Sequence, residues 1–67
     1  MDKPGLTEEE RQTLNWLSQG KRAEDIAQIM AVRVRVVYWR MECAQQKLIC
    51  NTICGAVAKA LRTGIIR

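Results

Sequence analysis

Residues 24–48 contain two apolar segments separated by a short break: EDIAQIM at 24–30, AVR at 31–33 and VRVVYWRMECAQQKL at 34–48. Apolar residues recur at helical spacing on both sides of the short break, which predicts a helix over about 23–30 and a longer one over about 34–48. The inward residues of the shorter helix are expected to be Ile26, Ala27, Ile29 and Met30. Two helices joined by a turn of about three to four residues form a helix-turn-helix, which is therefore predicted over about 23–48.

The longer helix has two faces of different chemistry. Its inward side is expected to be one apolar stripe of Val37, Met41, Ala44 and Leu48. Its opposite side and edges carry charged, amide and aromatic side chains: Arg35, Tyr38, Trp39, Arg40, Glu42, Gln45, Gln46 and Lys47. Arginine can bind guanine or phosphate, glutamine can read adenine and glutamate can accept from cytosine, so this side suits the DNA major groove. The alternative is that the tryptophan packs on a neighbouring helix and the arginines are only solvated.

A first helix is predicted over about 7–19. Thr7 and Glu10 have the spacing of a capping box, in which each side chain accepts a hydrogen bond from an unpaired backbone N–H at the helix start. Gly20 is expected at the C′ position, where glycine ends many helices. The buried stripe of this helix is expected to be Leu14 and Leu17, with Trp16 on its flank.

A fourth helix is predicted over about 53–63, after a cap at Thr52 and before a stop at Gly64. Ile65 and Ile66 are expected to fold back onto the domain. The apolar residues of this helix lie on more than one side: Ile53, Ala56, Val57, Ala60 and Leu61. The small residues among them favour close packing, either inward or against a second subunit.

Size and composition favour one small all-helical domain. The 67 residues are 48% apolar and include two Trp, one Tyr and no Phe, so the core must be mainly aliphatic. A chain this short buries only about 60% of the surface of its unfolded form, which makes it marginally stable alone. Asn-Gly and Asp-Gly, the hairpin dipeptides, do not occur. We therefore predict an all-α fold.

Several classes of function are disfavoured. The chain has no histidine, no paired acid–base set and no Gly-rich phosphate loop, so an enzyme is not expected and no cofactor is predicted. Cys43, Cys50 and Cys54 are too few for a four-ligand zinc site and are expected to be reduced thiols. No apolar run of about 18 residues could span a membrane and no signal peptide is recognised, so we expect a cytoplasmic protein.

The charge is divided unevenly along the chain. Residues 1–31 carry four basic and six acidic side chains, whereas residues 32–67 carry seven basic side chains and one acidic. A basic half on a small domain is typical of a protein that binds a polyanion. A solvated basic face without a partner is the alternative.

One set of residues lies at characteristic spacings over 6–66: Leu6, Thr7, Glu10, Leu14, Trp16, Gly20, Lys21, Ile26, Ala27, Val32, Val37, Lys47, Leu48, Ala56, Val57, Ala60, Gly64, Ile65 and Ile66. In these residues and spacings the chain resembles the LuxR/GerE-type DNA-binding domain. The resemblance implies an all-α, four-helix helix-turn-helix domain, with residues 1–5 as a linker. Members of this family are bacterial transcription regulators. Many are quorum-sensing activators whose separate N-terminal domain binds an acyl-homoserine lactone.

The resemblance also implies a site for DNA and a site for a second subunit. The third helix is the recognition helix, and the DNA contacts are then expected from Lys21, Arg22, Arg33, Arg35, Tyr38, Trp39, Arg40, Glu42, Gln46 and Lys47. The fourth helix commonly forms the dimer contact, here from Ile53, Ala56, Val57, Ala60 and Leu61. The implied partners are a palindromic double-stranded DNA operator, a second copy of the chain, and RNA polymerase or another LuxR-type regulator.

The chain departs from the family pattern at several positions. Arg22 and Arg33 stand where the family has capping serine or threonine, Val36 replaces a frequent threonine, and Ile53 replaces a frequent basic residue. These changes support a second hypothesis. In it, the domain is degenerate and acts as an interaction module or anti-activator, by pairing with another LuxR-type regulator.

Overall fold

The computed structural model describes residues 5–67, which form four α-helices and no strand. The helices are α1 (Glu8–Ser18), α2 (Ala23–Met30), α3 (Val34–Lys47) and α4 (Ile53–Arg62). The predicted all-α fold and the predicted helix-turn-helix of α2 and α3 are confirmed. Each helix boundary lies within one residue of its predicted position.

Local sequence signals set the ends of α1 and α4. Thr7 Oγ1 accepts from the backbone N–H of Glu10 at 3.1 Å, and Glu10 Oε1 accepts from the N–H of Thr7 at 3.0 Å, as a capping box requires. Gly20 follows the end of α1 with φ +89°, a conformation that costs glycine little. Thr52 caps α4 by accepting from the N–H of Gly55 at 3.0 Å. The predicted caps are therefore confirmed.

The helix-turn-helix begins both of its helices without a capping hydroxyl. The side chains of Arg22 and Arg33 form no cap hydrogen bond to the helices that they precede. At α2, Asp25 Oδ2 accepts from the N–H of Arg22 at 3.2 Å and so supplies half of a capping box. Between the helices, Ala31 adopts φ +58° and Val32 donates its N–H to the carbonyl of Ala27 at 2.9 Å.

The core consists of two clusters of buried aliphatic residues, and α3 contributes to both. One cluster joins α1, α3 and α4 through Leu14, Ala44, Leu48, Ala56, Ala60 and Ile66. The other joins α2 and α3 through Ala23, Ile26, Ala27 and Val37. Leu17 packs against both clusters, and the burial of Ile66 confirms that the C-terminal residues fold back. One expected core residue is wrong, because the side chain of Ile29 is 47% exposed.

The structure also shows the state of the three cysteines and the lengths of the helices. Cys43, Cys50 and Cys54 are free thiols, and only Cys54 is fully at the surface. None of the helices between residues 5 and 67 combines the length and the apolar composition needed to cross a membrane. The predicted linker at 1–5 lies outside the described residues except for Gly5.

Candidate nucleic-acid interface

Five side chains of α3 form one exposed surface, which we name the outer face: Arg35, Tyr38, Trp39, Glu42 and Gln46. The spacing of these residues places them on one side of the helix over about three turns. The side chain of Trp39 is 61% exposed and that of Tyr38 is 50% exposed. Trp39 therefore does not bury its ring against a neighbouring helix, and the outer face combines cationic, aromatic, amide and carboxylate groups.

The opposite side of α3, which we name the inner face, holds the helix in place through Val37, Met41, Ala44 and Leu48. Val37 and Ala44 are fully buried and Leu48 is 3% exposed, whereas Met41 is half-buried. The other three helices all pack against α3. Since α1, α2 and α4 all pack on α3, the core holds α3 in one orientation and so determines which side chains form the outer face.

Exposed cations lie where α2 and α3 begin. Lys21 and Arg22 precede α2, and Arg33 occupies the N-cap position of α3. Unpaired N–H groups and the helix dipole make a helix N-terminus favourable for phosphate. The exposure of these three cations at helix starts makes them candidates for contact with a nucleic-acid backbone.

Lys47 was expected to contact DNA, but its side chain is part of an ion pair within the fold. Its Nζ lies 2.8 Å from Glu10 Oε1 and 3.2 Å from the carbonyl oxygen of Gly5. Glu10 is only 4% exposed, so its charge needs this partner. Lys47 therefore joins the end of α3 to the start of α1, and its role as a DNA contact stays a prediction.

Lys59 is a second cation that forms a hydrogen bond within the fold, and no residue pattern in the sequence predicts this contact. Its Nζ donates to the carbonyl oxygen of Leu48 at 2.9 Å, just beyond the last turn of α3. A positive charge there satisfies an unpaired carbonyl and complements the helix dipole. Part of the basic character of residues 32–67 therefore stabilises the fold.

Arg40 lies at the border between the two faces of α3. The residue is half-buried, and its Nη1 approaches Met30 Sδ at 4.0 Å. On the other border, Tyr38 Oη donates to Glu24 Oε2 over a long distance of 3.4 Å. Both contacts connect α3 to α2, so these two side chains are more restrained than Arg35 and Trp39.

The expected dimer surface on α4 needs correction. Ala56 and Ala60 are fully buried in the domain's own core, because their small side chains let α4 approach α1 and α3. They therefore offer no surface to a second subunit. Ile53 and Val57 are half-buried against the same cluster, and Leu61 is 46% exposed.

Two exposed residues of α4 were missed by the sequence interpretation. Cys54 and Ala58 lie on the surface, and together with Val57 and Leu61 they form a continuous stripe at spacings of three and four residues. We name these four residues the α4 stripe. The helical spacing of these four residues is visible in the sequence. It identifies a surface stripe only when the side of α4 that faces the core is known.

Comparison with known proteins agrees with this geometry. Residues 4–60 match the family of bacterial regulatory proteins, luxR family (GerE). The transcriptional activator protein LuxR of Aliivibrio fischeri is 36% identical over 61 residues, which cover 91% of this chain and 24% of that protein. The transcriptional activator protein SolR of Ralstonia solanacearum is 38% identical over 61 residues, covering 91% and 26%.

A third relative is the HTH-type quorum sensing-dependent transcriptional regulator RpaR of Rhodopseudomonas palustris. It is 40% identical over 62 residues, which cover 92% of this chain and 26% of that protein. The chain thus spans about a quarter of the length of the relatives that it matches. Because the family match covers most of the chain and the fold is the expected four-helix arrangement, the chain belongs to the luxR family of bacterial regulatory proteins.

Proposed function

We propose that this domain binds double-stranded DNA in a sequence-specific manner and regulates bacterial transcription, with α3 as the recognition helix. The observation that carries the proposal is the outer face, where five exposed polar and aromatic side chains lie on one side of a helix fixed by the core. The 14 residues of α3 span about 21 Å. A helix of this size fits the major groove, where the edges of the bases are distinguishable.

Phosphate contacts supply much of the affinity in this proposal. Lys21 and Arg22 before α2, together with Arg33 at the start of α3, are exposed and form no ion pair among residues 5–67. Each cation that neutralises a phosphate releases a counterion from the DNA, so binding weakens as salt rises. Affinity for any duplex should therefore depend steeply on salt, whereas the preference for one sequence should come from the outer face.

A titration of the 67-residue chain tests this proposal. A palindromic LuxR-type operator and a scrambled duplex of the same composition are compared at two salt concentrations. We expect tighter binding to the operator at both concentrations. Equal, salt-sensitive binding to both duplexes would contradict sequence recognition, and no binding by the folded chain at low salt would contradict DNA binding altogether.

We further propose that the domain acts as a dimer on a two-fold related site, with the α4 stripe (Cys54, Val57, Ala58 and Leu61) as the contact. Exposed apolar and small side chains let two helices approach closely, and Leu61 supplies the largest apolar group. The spacing of the two half-sites would then reflect the two-fold symmetry of the protein. Quorum sensing and contact with RNA polymerase are parts of the proposal that rest on the kind of regulator to which the relatives belong.

Sedimentation measurements on matched variants test the dimer. Leu61→Gln should shift the monomer–dimer equilibrium towards monomer, because the apolar contact is lost. Ile29→Gln is the control, since Ile29 is equally exposed and lies on α2, which does not pack on α4. Equal behaviour of the two variants would remove α4 from the proposed interface.

The second candidate function is an interaction module that pairs through α4 with another LuxR-type regulator and spoils its DNA binding. The observations in its favour are that Cys54, Ala58 and Leu61 of the α4 stripe are exposed and that α3 lacks a capping hydroxyl and has Val36 in its first turn. The titration separates the two candidates. A folded chain that binds no duplex but forms a mixed dimer with a full-length regulator would establish the second function in place of the first.

A further inference from the structure

Glu42 differs from every other residue on the outer face of α3. It is the single acidic residue between positions 32 and 67, and its side chain is exposed. Its neighbours one turn away in either direction are uncharged: Tyr38, Trp39, Gln45 and Gln46. A helix therefore presents an unneutralised carboxylate in the middle of the surface that we propose enters the groove.

Two other carboxylates of the domain, those of Glu8 and Glu10, form ion pairs. Arg11 forms a salt bridge with Glu8, and its hydrogen bonds hold the pKa of Glu8 below the ordinary value. Lys47 pairs with Glu10, as described above. By contrast, Glu42 forms no ion pair and no side-chain hydrogen bond with any group in the described part of the chain.

Glu9 is the closest match to Glu42, because it is also exposed and without such a contact among residues 5–67. Its position explains this, since it lies in the first turn of α1, where the helix dipole favours a negative charge. Glu42 lies in the interior of α3 and has no such compensation. The stability of the helix therefore explains a carboxylate at position 9, whereas it does not explain one at position 42.

A carboxylate facing DNA is repelled by phosphates unless a base supplies a donor. In the major groove, cytosine presents its N4 amino group, guanine presents the acceptors N7 and O6, and thymine presents the acceptor O4. Adenine presents its N6 amino group beside the acceptor N7, which suits an amide better than a carboxylate. Resting on the proposed DNA-binding function, we infer that Glu42 sets the base preference of this site. It accepts from cytosine N4 and rejects base pairs whose nearest edge offers only acceptors.

This assignment predicts an unusual pair of changes in the variant Glu42→Gln. Removal of the charge ends the repulsion from phosphates, so affinity for non-cognate duplexes rises. The amide can donate as well as accept, so the preference for cytosine at one position in each half-site falls by about tenfold and adenine becomes acceptable. A residue with only a structural role would not raise affinity and lower selectivity together.

The experiment is selection of bound sequences from a randomised duplex library, followed by titration of the selected site and its single-base variants. The wild-type 67-residue chain, Glu42→Gln and the control Glu9→Gln are compared at the same salt concentration. The inference expects a cytosine preference in the wild type and in Glu9→Gln that is lost in Glu42→Gln alone. Circular dichroism checks that all three chains are folded.

The other outcomes separate this inference from the proposed function. If the wild type selects a sequence and Glu42→Gln selects the same one with the same preference at every position, the inference is wrong while DNA recognition stands. If Glu9→Gln loses the preference equally, the effect is one of net charge, and the inference is again wrong. If the folded wild type binds no duplex, both the proposed function and the inference are overturned.

Discussion

The charged side chains of α3 differ in whether they form contacts within the fold, and the difference follows the side of the helix on which they lie. Towards the inner side, the basic group at the end of the helix is engaged, since Lys47 lies 2.8 Å from the nearly buried Glu10. On the outer face, Arg35 is exposed and Glu42 has no partner among residues 5–67. The engaged charge holds helices together, and the unengaged charges are available to a ligand.

This difference shows that net charge is a poor guide to a binding surface. Both lysines of residues 32–67, Lys47 and Lys59, donate to groups within the fold. The exposed arginines Arg33 and Arg35 have no such contact in the described chain. Basic residues must therefore be sorted by what packing offers them before they are assigned to DNA.

The largest expected effect is a loss of stability in the variant Lys47→Met, which removes the ion pair with Glu10. Glu10 would lose its cation while keeping the N–H of Thr7, so the free energy of unfolding should fall by about 2 kcal/mol. Urea unfolding followed by circular dichroism measures this. The ratio of operator to scrambled affinity should stay unchanged at temperatures where the variant is folded.

Lys21→Met is the matched control, because it removes the same group at an exposed position where the lysine side chain forms no hydrogen bond among residues 5–67. Its free energy of unfolding should change by less than about 0.5 kcal/mol. Equal stability of the two variants would mean that the ion pair of Lys47 contributes nothing to the fold.

The next effect comes from the outer face, in the variants Trp39→Ala and Arg35→Ala. We expect each to weaken operator binding by about tenfold, because base contacts contribute about 1–3 kcal/mol each. Neither should lower stability by more than about 0.5 kcal/mol, since both side chains are exposed. Fluorescence anisotropy with labelled operator gives the affinity.

Trp16→Ala makes this comparison sharper, because it applies the same substitution to a tryptophan that packs against the α2–α3 cluster. Its free energy of unfolding should fall by about 1.5 kcal/mol, less than for a fully buried aromatic side chain, because Trp16 is only half-buried. Unchanged operator affinity in both Trp39→Ala and Arg35→Ala would show that the outer face is not the DNA-binding surface.

A smaller change, an increase in stability, is expected from a substitution in the turn that follows α3. Ile49 adopts φ +56° and its side chain is 86% exposed, so a β-branched residue holds a left-handed conformation without burial in return. Ile49→Gly should raise the free energy of unfolding by about 1 kcal/mol, because the strain exceeds the entropy that glycine loses. Thermal unfolding detects this as a higher Tm.

The control is Ile29→Gly, which makes the same exchange inside α2. Glycine within a helix costs about 1 kcal/mol, so the Tm should fall. Two shifts of the same sign would refute the assignment of strain to the turn.

The smallest effect is expected at the border of the faces, from Arg40→Met. The apolar stem remains packed near Met30 while the charge is lost, so stability should hardly change. Affinity should fall by about threefold for operator and scrambled duplex alike, as expected for a lost phosphate contact. A selective loss for the operator would instead place Arg40 among the base contacts.

The prediction from sequence succeeded where the interactions are local. The capping box of Thr7 and Glu10 and the cap at Thr52 each join residues three positions apart. Such contacts depend on a short stretch of backbone, so residue type and spacing are enough to define them. The DNA contacts on the outer face stay a prediction, although the exposure of their side chains agrees with it.

The prediction failed where partners are distant in the chain. Glu10 and Lys47 are 37 residues apart, and their pairing arises only when α3 packs on α1. The helical period of α4 could not show which of its apolar sides faces the core, so Ala56 and Ala60 were assigned to a dimer surface. Ile29 was placed inside by the same kind of error.

Sequence was sufficient to predict the four helices, their ends, the helix-turn-helix and the family, because hydrophobic period, caps and turns involve residues a few positions apart. Only the packing of the helices shows which charged side chains form ion pairs and which apolar side chains are buried. Burial and ion pairing depend on how close the helices lie in space, and the spacing of residues along the chain does not specify that distance. Lys47 and Arg35 are both basic residues of α3, and only packing assigns one to the fold and leaves the other at the surface.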